Sequence, residues 1–323
     1  LSPTGSGKSV IIYNLIRQWE KIEGKTLLIV PNITLINQMS KDFVEYSKGD
    51  DTFDKNSFHC IQGGKEKNAD VDVYISTWQS LLQVVKKNDL EGYWEQFSSV
   101  IVDEAHQAGS KAIMSIMERL NDCPRRVGLT GTLSSSDMKV SAMQLIGLFG
   151  NVYKTISTQE LIETGRLSKL SINSILLDYN NAEKFADYHK EIAYLTNHKE
   201  RAKFISRLSE AIKGNTIILF NFIAHGELIY DQCLKDSSKN IYWISGKTKG
   251  KEREEIRKIV EDNDNCIIIG GVSVIGTGFS IKNIHNMILA HPSKSRIRTL
   301  QSIGRALRKL DSKDSAIIYD IGD

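Results

Sequence analysis

Four cysteines are all this 323-residue sequence contains, and Cys60, Cys123, Cys233 and Cys266 form no C-x-x-C pair and no cluster with histidine. That scatter predicts free thiols in a reducing compartment and speaks against zinc. No apolar run approaches the ~18 residues of a membrane span, and no signal-peptide pattern is present, so the expectation is a cytoplasmic protein with no membrane partner. Charge of one sign is also lacking. Lys and Arg number 42 against 39 Asp and Glu, for a net charge of +3. A polyanion would have to be met in a local groove rather than by the whole surface. Low-complexity tracts and short-period repeats are absent. What remains, 41% hydrophobic and 25% charged residues, is ordinary globular composition, long enough for two domains at about 150 residues each.

The stretch that organises the chain is Ser2-Pro3-Thr4-Gly5-Ser6-Gly7-Lys8-Ser9. It is one residue off the phosphate-loop pattern G-x-x-x-x-G-K-[ST], with Ser2 in place of the first glycine. Thr4, Gly5, Ser6 and Gly7 would turn backbone N–H groups around an anion, where a Cβ on either glycine would obstruct. Lys8 supplies charge for the outer phosphates and Ser9 a hydroxyl for Mg²⁺. The apolar run from Val10 suits a helix whose N-terminus faces the phosphate. The plain alternative is a Gly/Ser turn before an amphipathic helix. Phosphate-loop folds feed the loop from a buried strand, of which only Leu1 is present, so the first domain is expected to lack its first strand.

Downstream, short apolar runs alternate with helical patterns. Strands are expected at 25–30, 57–62, 72–76, 99–103 and 126–129, with a helix at 34–46 carrying Leu35, Met39 and Phe43 on one face and another at 138–150. Residues 151–170 read as a connection with a short helix. A second series follows: one long helix at 183–213, strands at 216–220, 241–244, 266–269, 287–290 and 316–319, and helices at 224–234, 249–261 and 297–309. The alternation predicts an α/β fold of two tandem parallel-sheet domains, residues 1–152 and 153–323, with a cleft between them.

The second strong signal is Val100-Ile101-Val102-Asp103-Glu104-Ala105-His106. A central strand ends in two carboxylates at the sheet edge where ligands of open α/β sheets collect. Asp103 would hold Mg²⁺ opposite Ser9, and Glu104 would orient and deprotonate an attacking water. A strand running into a solvated acidic loop is the alternative. Near the far end, Gln301, Arg305 and Arg308 are spaced i, i+4 and i+7, so a helix would project all three from one face. Guanidiniums on one face call for anions, the γ-phosphate or a nucleic-acid backbone.

The phosphate loop together with Asp103-Glu104-Ala105-His106 resembles the ATPase core of superfamily 2 helicases and translocases of the DEAH-box type. Other runs are similar to that family's motifs in the same order: residues 30–38, Gly63-Gly64, 76–79, 129–132, 217–222, 275–280 and 301–308. The resemblance implies two RecA-like domains sharing ATP and Mg²⁺ across their cleft. It adds Gly276 to the nucleotide site and gives His106, Thr130 and Thr132 a part in coupling hydrolysis to domain movement. Gln301, Arg305 and Arg308 would act as the arginine-finger face in catalysis with Glu104. Gln38, Gly63, Thr77, Ser245 and Thr277, read as following strands, could hold a sugar-phosphate backbone. Trp78 would stack on a base or fill the core. The runs 78–79, 147–150, 169–175 and 289–291 are similar to phage branched-DNA helicases. That implies ATP-driven unwinding or branch migration of recombination and fork intermediates and of RNA–DNA loops. The expected partners are single-stranded and branched DNA, and the expected state is a monomer. A duplex translocase without strand separation, or an inactive nucleic-acid-binding fragment, stays open on the sequence.

Overall fold

In a computed structural model the structure describes residues 1–3, 5–50, 52–53, 57–61, 68–87, 92–131, 140–179, 185, 187–275, 281, 283–291 and 315–323. The expected site residues Thr4, Gly63, Thr132, Gly276, Thr277, Gln301, Arg305 and Arg308 lie outside them, as does the helix expected at 297–309. The chain divides into two compact units, Leu1–Ser157 and Thr158–Asp323.

The first unit opens with α1 (Lys8–Trp19), β1 (Lys25–Val30), α2 (Ile33–Tyr46) and β2 (Phe58–Ile61). It continues through β3 (Val73–Thr77), α3 (Trp78–Lys87) and β4 (Phe97–Asp103). A 3₁₀ turn (Ala105–Gly109), α4 (Lys111–Arg119), β5 (Arg125–Leu129) and α5 (Val140–Phe149) complete it. Its strands form one sheet in the order β2-β3-β1-β4-β5, every pairing parallel. Parallel strands covered on both faces read as unbroken apolar runs. Accordingly Val100, Ile101 and Val102 of β4 are at most 1% exposed, each worth roughly 1.5–3 kcal/mol of burial. The register sets Asp103 beside Leu129 and Val30 beside Thr77. Four strand ends therefore share one carboxyl edge.

At β5, Gly128 is required by close approach. A Cβ there would stand 2.8 Å from Ala105 Cβ and 2.9 Å from the Phe149 ring. Along β5, on its side away from β4, runs a cavity of about 290 Å³ walled by Val127, Leu129, Leu145, Phe149 and Tyr153. At its head Ser2 donates its N–H to Thr130 O at 2.8 Å, and Thr155 donates to Leu1 O at 3.1 Å.

The second unit begins with α6 (Thr158–Glu163), β6 (Lys169–Leu176), α7 (Tyr188–Asn197), α8 (Lys199–Ala211) and β7 (Thr216–Phe220). Then come α9 (Ile223–Asp236), β8 (Asn240–Ile244), α10 (Gly250–Glu261), β9 (Cys266–Gly271), α11 (Val272–Ile275), β10 (Asn286–Leu289) and β11 (Ser315–Gly322). Its sheet, also parallel throughout, has the order β6-β11-β10-β7-β9-β8.

Two expectations fail here. The single helix over 183–213 is two helices, broken at His198, whose backbone leaves the helical region (φ −76°, ψ 112°) and whose ring accepts the Arg201 N–H at 3.2 Å. At the break the His198 ring lies edge-on to Tyr179 and Tyr194, at 4.8 and 5.2 Å. β6 falls where a connection was expected to give way to helix. It is an edge strand exposed along most of its length, so neither face imposes the alternation by which strands are read.

Beneath the sheet's carboxyl edge Arg201 is 1% exposed. Its Nε and Nη2 donate to the two Asp323 oxygens at 2.7 and 2.9 Å, and its Nη1 donates to Ala290 O at 2.6 Å. Nη1 also lies 3.4 Å from His225 Nε2. A guanidinium only donates, so Nε2 accepts and the imidazole proton sits on Nδ1. Burial first, then the charge of Arg201 and the neighbouring His291, pushes His225 down to about 3, with Asp323 opposing. The folded protein thus refuses a proton that the unfolded chain takes near 6.5. Stability from this residue is complete above that value and is lost as pH falls toward 3, at about 1.4 kcal/mol per unit. Between pH 7.5 and 5, urea denaturation should show the wild type losing about 2 kcal/mol more than His225→Gln; equal losses would refute the assignment.

Candidate active site

The phosphate loop is bent by two left-handed glycines, Gly5 at φ 83° and Gly7 at φ 84°. A Cβ on Gly7 would meet no protein atom within 4 Å. Conformation, not space, demands glycine there. The Ser6 hydroxyl donates to Pro3 O at 2.6 Å and contacts the Ser2 hydroxyl, which closes the loop on itself. Gly7 is the N-cap of α1 and offers no capping side chain. The first-turn N–H groups consequently remain available to an anion, with the helix dipole behind them.

At the end of β4, Glu104 has φ 53° and ψ 48°, the one non-glycine residue with positive φ among those described. Such a conformation costs a side-chain-bearing residue roughly 1–2 kcal/mol and is typical of functional sites. It turns the Glu104 carboxylate onto the phosphate loop, where Oε1 lies 3.5 Å from Lys8 Nζ. On the other side His106 Nδ1 is 3.3 Å from Glu104 Oε2. The same nitrogen is 3.0 Å from Thr130 Oγ1. Lys8, Glu104, His106 and Thr130 are therefore joined in one polar chain across the carboxyl edge.

Asp103, next to it, is 8% exposed, and its Oδ1 has no hydrogen-bond partner. Burial, then the adjoining Glu104 charge, raises its carboxyl to about 6, with Lys8 and His106 opposing. Glu104 moves the other way. Burial would raise it, but His106 and Lys8 together hold it below the usual carboxylate range. A buried carboxylate oxygen with no donor is costly to leave unsatisfied, and a hard divalent cation, which takes oxygen ligands, fits it.

Ser9 carries a contact not foreseen from the sequence: its Oγ is 2.8 Å from the Tyr46 hydroxyl at the end of α2. The helical face read as Leu35, Met39 and Phe43 continues at i+7 from Met39 to Tyr46, so spacing could have pointed to it. The observed buried face is Ile36, Met39 and Phe43, with Leu35 at its margin.

The candidate nucleic-acid residues are placed less uniformly. Gln38 is exposed, but on the second turn of α2 rather than directly after a strand. Thr77 is 3% exposed, and its hydroxyl accepts the Ser80 N–H at 3.3 Å, capping α3. Ser245 is 7% exposed and accepts the Lys247 N–H at 3.3 Å within a turn. Trp78 is partly buried against the core of the first unit.

Comparison with known proteins adds the family. Residues 1–135 match the type III restriction enzyme res-subunit family, and residues 199–309 the helicase conserved C-terminal domain. The ATP-dependent DNA helicase uvsW of Enterobacteria phage T4 is 36% identical over 99% of this chain. The chain belongs to superfamily 2 of the helicases. It spans 64% of the T4 helicase's length, less than two thirds. Solved structures share the fold of this helicase core at low identity. A fragment described as an HsdR subunit of a type I restriction enzyme from Vibrio vulnificus YJ016 aligns with TM-score 0.72 at 17% identity, over 99% of this chain and 59% of that one. S. cerevisiae Dbp5 bound to RNA and ADP BeF3 gives 0.64 at 14%, over 100% and 78%. No helix among the described residues is long and apolar enough to cross a membrane.

The strain at Glu104 can be measured. Glycine removes the left-handed penalty of roughly 1–2 kcal/mol and adds about 0.5–1 kcal/mol of chain entropy. Glu104→Gly should therefore be more stable to denaturant than Glu104→Ala by roughly 0.5–1 kcal/mol. An alanine variant at least as stable would show that no strain resides there.

Proposed function

We propose that the chain is the motor core of an ATP-dependent DNA helicase or translocase that unwinds or branch-migrates branched DNA, including fork intermediates and RNA–DNA loops. The observation that carries this reading is the Lys8–Glu104 contact across the carboxyl edge, with the unpartnered Asp103 oxygen beside it. Lys8 and the free N–H groups of α1 bind the phosphates of ATP. Ser9 and Asp103 would hold Mg²⁺, which when bound neutralises charge on the β- and γ-phosphates. Glu104, kept ionised by His106 and Lys8, accepts the proton of the attacking water. As Lys8 moves to the phosphate, its pairing with Glu104 loosens and the carboxylate is released to act as base.

His106 is the link from that carboxylate to Thr130. A change in charge at Glu104 alters which partner the imidazole proton serves, and Thr130 passes the change to the segment after β5. Arg305 and Arg308 are proposed to bring positive charge to the γ-phosphate and Gln301, on the same face, a neutral amide, with Gly276 at the nucleotide and Thr132 in coupling. Gln38, Gly63, Ser245 and Thr277 are proposed to track a sugar-phosphate backbone. Thr77 would contribute through the start of α3, which it caps, since its own hydroxyl is buried. The similarity to a named ATP-dependent DNA helicase supports DNA as the track; action as a monomer in the host cytoplasm is proposed on the sequence alone.

Glu104→Gln keeps the size and removes the base. It should leave binding of a fluorescent ATP analogue within about threefold while lowering DNA-stimulated turnover at least ~10²-fold, the scale of a general base. Turnover within a few-fold of wild type would remove Glu104 from the chemistry.

A further inference from the structure

The Ser9 hydroxyl is engaged from outside the phosphate loop. Tyr46, 37 positions away at the last residue of α2, places its own hydroxyl 2.8 Å from Ser9 Oγ. The phenol is not a loose surface group. Its ring lies edge-on to Tyr13 at 5.7 Å, and Tyr13, one turn along α1 from Ser9, packs against Phe43 at 5.7 Å and Phe53 at 5.9 Å. The Tyr46 oxygen is thereby held at a fixed point beside the loop.

A serine hydroxyl has one proton and two lone pairs. If it ligates a cation through a lone pair, its proton must point elsewhere to an acceptor, and the acceptor fixes which way the lone pairs face. We propose that Tyr46 is that acceptor: a positioning residue that takes the Ser9 proton and so aims the Ser9 oxygen at the cation of the nucleotide. This assignment rests on the reading of the loop as a Mg²⁺–ATP site. It extends that reading to a residue outside every motif quoted above, and it makes α2 part of the nucleotide site. Partners that orient a metal ligand typically change metal affinity or activity 10–100-fold when removed.

The test uses the full-length protein and variants Tyr46→Phe, Ser9→Ala and the double variant. Binding of a fluorescent ATP analogue is measured against Mg²⁺ concentration and, separately, in EDTA. Tyr46→Phe removes one oxygen and keeps the ring, so melting temperature and binding in EDTA should match wild type. Half-saturation by Mg²⁺ should rise about tenfold. In the Ser9→Ala background the same substitution should do nothing, because the group it orients is gone. Unchanged or tighter Mg²⁺ dependence in Tyr46→Phe would overturn the proposal. So would an effect that persists without the Ser9 hydroxyl, which would mark aromatic packing instead. A wild type that binds the analogue no better with Mg²⁺ than in EDTA would instead refute the Mg²⁺–ATP reading beneath it.

Discussion

One backbone angle governs the site. β4 delivers Asp103 and Glu104 to the sheet edge as neighbours, and an ordinary extended exit would send successive side chains to opposite faces. The left-handed turn at Glu104 breaks that alternation and brings its carboxylate to Lys8 while Asp103 stays buried. The penalty is paid locally, at roughly 1–2 kcal/mol, and is outweighed by the apolar run of β4, three of whose side chains are almost wholly buried. The strain persists because the strand holding it is over-determined.

The two carboxylates are driven apart by their surroundings. One Asp103 oxygen, Oδ1, has no donor and burial pushes the carboxyl up, whereas the half-buried Glu104 is held down by an imidazole on one side and a lysine on the other. Opposed environments of this kind assign different tasks to chemically similar groups. Here the ionised one suits a base, and the unsatisfied one suits an oxygen ligand for a hard cation. The second unit uses a buried charge differently. Arg201 is fully paired with Asp323 and a backbone carbonyl, and holds the ends of α8, β10 and β11 together.

Much of this was legible in the sequence, for definable reasons. Buried parallel strands such as 25–30 and 266–269 are short, largely apolar runs, and the phosphate loop and Asp103-Glu104 carry their chemistry in adjacent residues. What escaped was non-local or unpatterned. β6 is an exposed edge strand without alternation. At the break, the His198 ring meets Tyr194 one turn back and Tyr179 from further up the chain, both edge-on, and the second of these contacts exists only in the fold. No residue type announces a left-handed glutamate. Tyr46 lies on a predictable helix face, yet only folding brings it to Ser9. Thr77 shows the converse: a residue chosen for its hydroxyl proves to spend that hydroxyl on capping its own helix.

The most direct test is ATP turnover by the full-length protein, measured side by side without nucleic acid and with single strands, forks and RNA–DNA loops. A motor core of this family should hydrolyse ATP slowly alone and many-fold faster with at least one of these structures. The same rate in every arm would contradict the account.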